Sequence, residues 1–210
     1  KMKRVINLDN WNRKEHFKFF SALDDPFWGI TTTVDFTSIY QQSKNMEVSF
    51  FLYSVHFLLK CINATTAFKL RIENGEVVEY DKINISPTIG REDGTFGFGF
   101  FEYDTDLSLF IENAEKEIHR VKNSTGLSFS KDTARADVIR YSALPWFAFS
   151  EMKHAGSIQT GGAIAKISTG KLIQEKKKLL LPISISVHHG LVDGRNVAEF
   201  IQNVKDGQNN

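Results

Sequence analysis

The sequence predicts an α+β protein: a two-layer α/β sandwich in which one large mixed, mostly antiparallel sheet carries helices on one face. Three observations predict it. Strand-like stretches follow one another without the regular strand–helix alternation of a doubly wound parallel sheet. The four segments with helical spacing suit a layer covering one face of a sheet. The composition, 41% hydrophobic and 24% charged over 210 residues, supplies a real core at ordinary solubility.

Taken in order, residues 11–23 read as a short helix with apolar contacts from Trp11, Phe17 and Phe20, and 30–36 as a β-branched strand. Residues 48–64 form a strongly apolar helix, with Phe51, Val55, Leu58, Leu59 and Ile62 at helical spacing. Asn74-Gly75 joins strands 69–72 and 76–80 in the clearest hairpin. Strands at 83–89 and 95–103 precede an amphipathic helix over 106–122, with Leu109, Ile111, Ala114, Ile118 and Val121 inward. Strands at 136–143, 147–150, 163–167 and 179–187 follow, and a last helix runs over 194–205. Helices on one face leave the other face, or a sheet edge, open to a partner subunit.

Composition also excludes classes. A formal net charge of +1 argues against a general nucleic-acid binder. The single cysteine, Cys61, excludes an internal disulfide framework and reads as a core residue. No apolar run approaches the ~20 residues that span a bilayer. Lys1-Met2-Lys3-Arg4 is basic but is not followed by an apolar stretch, so no signal peptide is read. The expectation is a cytoplasmic protein with neither nucleic acid nor membrane as partner. No internal repeat is present, the hexapeptide β-helix signature included.

The chemistry concentrates in His188-His189-Gly190-Leu191-Val192-Asp193-Gly194, directly after the apolar strand. Alternation puts His189 in one row with Ile183, Ile185 and Val187, and His188 on the opposite face with Ser184 and Ser186. An imidazole at the end of an apolar row is favoured as the neutral, proton-accepting form. The alternative is a strand end with one core histidine, Asp193 serving only as N-cap of the last helix. Adjacent strand residues point to opposite faces, so His188, His189 and Asp193 do not converge on a metal, and none is expected. Upstream, Trp11-Asn12-Arg13-Lys14-Glu15-His16-Phe17 offers Arg13, whose forked guanidinium suits a carboxylate. The spacing alone does not join it to Asp193.

The early Trp-x-Arg-Lys-x-His-Phe segment and the late His-His-x-x-x-Asp-Gly segment together resemble the chloramphenicol acetyltransferase family. Val34-Asp35-Phe36-Thr37, Asn74-Gly75-Glu76, Pro145-Trp146 and Ser168-Thr169-Gly170-Lys171 fall in that family's order. The late motif is shared with the catalytic domains of dihydrolipoyl acyltransferases. The resemblance spans essentially the whole chain and implies one domain over 1–210. It implies an O-acetyltransferase that uses acetyl-CoA as co-substrate and a small-molecule acceptor, with no metal. His189 would be the general base, Asp193 and Arg13 its supporting pair, and Ser168 a hydroxyl that steadies the tetrahedral intermediate. It further implies a homotrimer with active sites at subunit interfaces.

Departures from the family pattern are equally informative. Where the family carries a serine that donates to the developing oxyanion, this chain has Ala148. Loss of one such donor costs ~10²–10³ in rate. With 147–150 read as a strand, Ser150 shares Ala148's face but lies one pleat repeat, ~6.6–7 Å, away. A catalytically weak relative, or one acting on another acceptor, is therefore the second expectation. Lys171 matches a lysine near the cofactor, and Arg195 stands at a helix start where a CoA phosphate could be met; both also read as plain surface charges. For the acceptor pocket the candidates are Phe27, Trp28, Ala148 and Phe98, the last on a strand where Phe96, Phe98 and Phe100 alternate with Gly97 and Gly99.

Overall fold

The computed structural model describes residues 2–156 and 163–208. Strand β10 (Lys178–His188) is the spine of a seven-stranded sheet. It pairs antiparallel with β2 (Phe27–Asp35) along one edge, and with β8 (Lys166–Thr169) and β9 (Ile173–Glu175) along the other. Strands β7 (Val138–Ala143) and β5 (Asn84–Gly90) continue the sheet, and β6 (Phe96–Phe98) ends it. Only the β5–β7 and β7–β8 pairings are parallel, which makes the sheet mixed and mostly antiparallel. A smaller sheet orders β1 (Lys3–Val5), β4 (Glu76–Tyr80) and β3 (Leu70–Glu73). The fully buried Arg71 ties it to the large one, donating to the Ala136 and Val138 carbonyls.

The helical layer centres on α3 (Phe50–Asn63), which contacts α2 (Thr37–Asn45), α4 (Leu107–Lys122) and α5 (Gly194–Gly207). Caps set where helices begin: the Ser49 hydroxyl accepts from the Leu52 amide, and the Asp106 carboxylate from the Ser108 and Leu109 amides. Period-two alternation divides the sheet. Ile183, Ile185 and Val187 of β10, Ile167 of β8, Ile139 and Tyr141 of β7 and Ile85 of β5 join the buried core with α3 and α5. The alternate residues are polar and the register stacks them in rows. One row crosses the sheet as Ser86, Arg140, Lys166 and Ser186; the next runs Ser142, Ser168 and Ser184.

Two expectations fail locally. Residues 147–150 are a loop, because Pro145 has no amide for a ladder and both edges of β7 are already taken by β5 and β8. Only isolated bonds remain there, such as Lys171 N–H to the Phe147 carbonyl at 2.9 Å. The pleat-repeat spacing between Ala148 and Ser150 therefore does not apply. The strand expected over 95–103 shrinks to Phe96–Phe98 with a lone bridge from Phe101 to Ile85. Gly97 is crowded by Ser128, Arg91 and Val121, which occupy the space a side chain would need. Helix α2 goes unseen in the sequence because its buried face is only Ile39 and Ser43.

Candidate active site

His189 follows β10 and its amide donates to the Pro26 carbonyl at 2.8 Å, extending the β10–β2 ladder by one residue. Helix α1 (Lys14–Ser21) presents Phe20, whose ring stacks on the imidazole at 3.8 Å and 10°. Trp28 of β2 flanks it at 5.5 Å between centroids, its indole N–H donating to the Val192 carbonyl. The His189 Nδ1 is buried without a hydrogen-bond partner among the described residues.

The turn that holds this ring is tied at several points. Arg13, just before α1, places Nη1 2.5 Å from Asp193 Oδ2 and donates through Nη2 to the His189 carbonyl at 3.2 Å. The other Asp193 oxygen accepts from the Arg195 and Asn196 amides, and the Asn196 side chain accepts from the Asp193 amide, a capping box on α5. Asp193 is thus both N-cap and ion-pair partner. Burial alone would raise its pKa; Arg13 and the two amides outweigh that and hold it below the ordinary carboxylate value. His188 points away from His189's stack. It is 5% exposed, its Nδ1 accepts from the Gly190 amide at 3.1 Å, and burial, with His189 alongside, pushes its pKa down to about 4.

Ser168 lies elsewhere. It sits on the polar face of the sheet, paired with Ser184, while His189 continues the helix-facing row. Ser184 is five residues before His189, about 16 Å along the strand. Within one chain the two groups are separated by the thickness of the sheet and by that length. Ser168 is 1% exposed, and its hydroxyl meets His154 Nε2 at 3.0 Å. Residues 151–156 cross over this face, with the Met152 carbonyl accepting from Ser184. Burial and then the Lys166 charge hold the His154 imidazole below its ordinary pKa.

Two cavities adjoin here and share Met152, His154, Ala155 and Lys166 as their common wall. One, of about 610 Å³, runs along β2 and is lined by Phe27 and Trp28. The other, of about 510 Å³, holds Ser168, Phe98 and Phe129. Ala148 is exposed on the loop beside Gly170, against which the Phe149 ring and the Phe147 carbonyl lie. Lys171 is exposed at the end of β8 and Arg195 is exposed in the first turn of α5. The sequence reading missed Arg140, Lys166 and His154. The first two were legible in the alternation Arg140-x-Ser142 and Lys166-x-Ser168, polar every second residue on a strand; His154 stands in a loop and gave no such signal. Among the described residues no three His, Cys, Asp or Glu side chains cluster as metal ligands, and no helix is long and apolar enough to cross a membrane.

Comparison with known proteins agrees with this architecture. A family model described as chloramphenicol acetyltransferase matches residues 2–205. Chloramphenicol acetyltransferase 3 of Escherichia coli is 26% identical over 96% of this chain and 94% of its own length. The Clostridioides difficile chloramphenicol acetyltransferase is 27% identical, over 96% of this chain and 93% of its own. A solved chloramphenicol acetyltransferase superposes with a TM-score of 0.90 at 29% identity, covering 99% of this chain and 100% of that one. A probable dihydrolipoamide acetyltransferase from Listeria monocytogenes shares the fold at a TM-score of 0.69 and 14% identity, over 100% and 94% of the two chains.

Proposed function

Because the chain belongs to the chloramphenicol acetyltransferase family, we propose that it moves an acetyl group from acetyl-CoA to a hydroxyl of chloramphenicol or a similar small molecule. The working form is a cytoplasmic homotrimer with sites between subunits. His189 takes the hydroxyl proton as the acceptor oxygen attacks the thioester carbonyl. The tetrahedral intermediate collapses with cleavage of the C–S bond, the proton passes from His189 to the departing sulfur, and an ester and free CoA thiol result. Arg13 and Asp193 position the His189 turn, and Ser168 of the neighbouring subunit steadies the intermediate. Lys171 and Arg195 meet CoA phosphates; Phe27, Trp28, Phe98 and Ala148 border the acceptor.

The observation that carries this reading is the placement of His189. A ring locked by Phe20 and by the Arg13–Asp193 brace, yet on the opposite sheet face from its own chain's Ser168, suits a site completed by a second copy. The open edge of β2, with Ile30 exposed beside the 610 Å³ cavity, supports the same assembly. Thiol release from acetyl-CoA with a panel of hydroxylated acceptors tests it. His189→Ala lowers the rate by ~10²–10⁴ without unfolding the protein; equal rates in both proteins overturn the assignment.

Ala148 favours a second reading, a weak relative or one that acylates a different acceptor. Its methyl group cannot donate to an oxyanion. Ala148→Ser then raises chloramphenicol acetylation by up to ~10², and an unchanged rate shows that the missing hydroxyl is not limiting.

A further inference from the structure

The 510 Å³ cavity beside Ser168 is basic. Arg140, Lys166 and His154 line it, and no aspartate or glutamate does among the described residues. Arg140 and Lys166 are direct partners across β7 and β8, Arg140 reaching toward Ser86 of β5 and Lys166 toward Phe27 of β2. Asp25, in the adjoining cavity that Lys166 also lines, is the one carboxylate acting on Lys166, and among the described residues no carboxylate pairs with Arg140. Arg140 spends Nη1 on the Ser86 hydroxyl and the Thr133 carbonyl, at 2.9 and 2.8 Å, leaving Nε and Nη2 without partners among the described residues. Lys166 Nζ lies over the Phe27 ring at 5.0 Å, and a β-carbon at position 156 would collide with it. Burial lowers the pKa of Lys166, and Asp25 offsets this only in part; burial also lowers that of Arg140. Two half-buried cations with a single partial counter-charge between them are costly unless a ligand supplies the rest.

The same cavity has an apolar wall, where Phe98 and Phe129 stack at 5.5 Å beside Phe96. The row holding Arg140 and Lys166 and the row holding Ser168 are two residues apart on one face, about 6.6–7 Å. We propose that the acceptor is an anion: a hydroxylated small molecule with an apolar body, whose carboxylate or phosphate sits between Lys166 and Arg140 while its hydroxyl reaches the Ser168–His154 pair. This rests on the acyl-transfer reading above, in its second form with an acceptor other than neutral chloramphenicol, and names that acceptor's class. Bond changes are those already given, with the hydroxyl proton leaving to His189 of the neighbouring copy.

Matched acceptors test it: 3-phenyllactate against its methyl ester, and glycerol 3-phosphate against glycerol. Each is assayed with acetyl-CoA for thiol release and, without acetyl-CoA, for binding by calorimetry. The anionic member of at least one pair is favoured by about tenfold or more, the yield of one charge-assisted contact, and the preferred pair tells carboxylate from phosphate. Lys166→Met brings that ratio to parity through KM, and Lys166→Arg keeps it. Transfer to the neutral members at equal or better efficiency overturns the anionic acceptor and leaves acyl transfer standing. Absence of transfer to all four, and to chloramphenicol assayed beside them, counts against acyl transfer, and binding then decides the present proposal. Tighter binding of an anion, lost in Lys166→Met, sustains it; equal binding or none overturns it.

Discussion

The His189 turn and the Ser168 face are built by opposite means. His189 is fixed by many local contacts: the β10–β2 ladder, the Phe20 stack, the capping box of α5 and an arginine that reaches both Asp193 and the His189 carbonyl. The Ser168 face is set chiefly by register, four strands in step placing hydroxyls in one row and cations in the next. A group that must move a proton to a set atom needs local redundancy, because small displacements cost large factors in rate. A surface that selects an acceptor needs only a pattern, and substitutions in its rows alter what binds without disturbing the base. The two regions should therefore fail separately and combine across subunits.

The sharpest test combines them. His189→Ala lowers transfer by ~10²–10⁴, and Ser168→Ala by about 10². Refolded together as a 1:1 mixture, the two variants regain about a quarter of wild-type activity, since random assembly of a symmetric oligomer gives that share of interfaces with both groups intact. A mixture no more active than the mean of its parts would place both groups in one chain's site and end the comparison.

Both regions left traces in the sequence, of different strength. The strand-to-helix step at His189 was readable because alternation, Asp193 as cap and the final helix all agree over a short stretch. The hairpin at Asn74-Gly75 was readable for the same reason: Asn74 and Gly75 both take positive φ, at 51° and 80°. The meeting of Arg13 with Asp193 was not, since spacing carries no information on contacts so distant in sequence. The basic row was written in the alternation but became a row only when parallel pairing set Arg140 beside Lys166. The loop at 147–150 misled because its apolar residues alternate with nothing that marks missing strand partners.

A smaller effect comes from one histidine in each region. The unfolded His188 imidazole takes a proton near pH 6.5, whereas the folded one resists until about 4. Between those values the unfolded chain binds more protons, so stability is complete above pH 6.5 and falls by about 3 kcal/mol as pH drops to 4. Protonation also removes the acceptor of the Gly190 amide and loosens the turn. His154 on the Ser168 face is shifted in the same direction, so it adds to the slope. His188→Asn, which keeps an acceptor for Gly190, flattens the pH dependence of the unfolding temperature and of activity together. His154→Asn flattens that of stability and, because His154 contacts Ser168, also that of KM for the acceptor. Unchanged slopes in both variants would mean that neither imidazole governs acid sensitivity.

The smallest effect separates holding from acting within the His189 turn itself. The Arg13 and Asp193 side chains are 17% and 34% exposed, so breaking the pair costs less than the 3–5 kcal/mol of a fully buried one, about 2 kcal/mol. Arg13→Ala lowers the unfolding temperature accordingly and also lowers kcat, because the His189 carbonyl loses its donor. Arg13→Lys distinguishes the two roles. An ammonium can restore the charge opposite Asp193, but one point donor cannot bridge Asp193 and the His189 carbonyl as two guanidinium nitrogens do. Stability then returns while kcat stays low and KM for the acceptor, set on the Ser168 face, does not move. Full recovery of kcat by lysine would show that the charge alone matters and that the fork does not position the base.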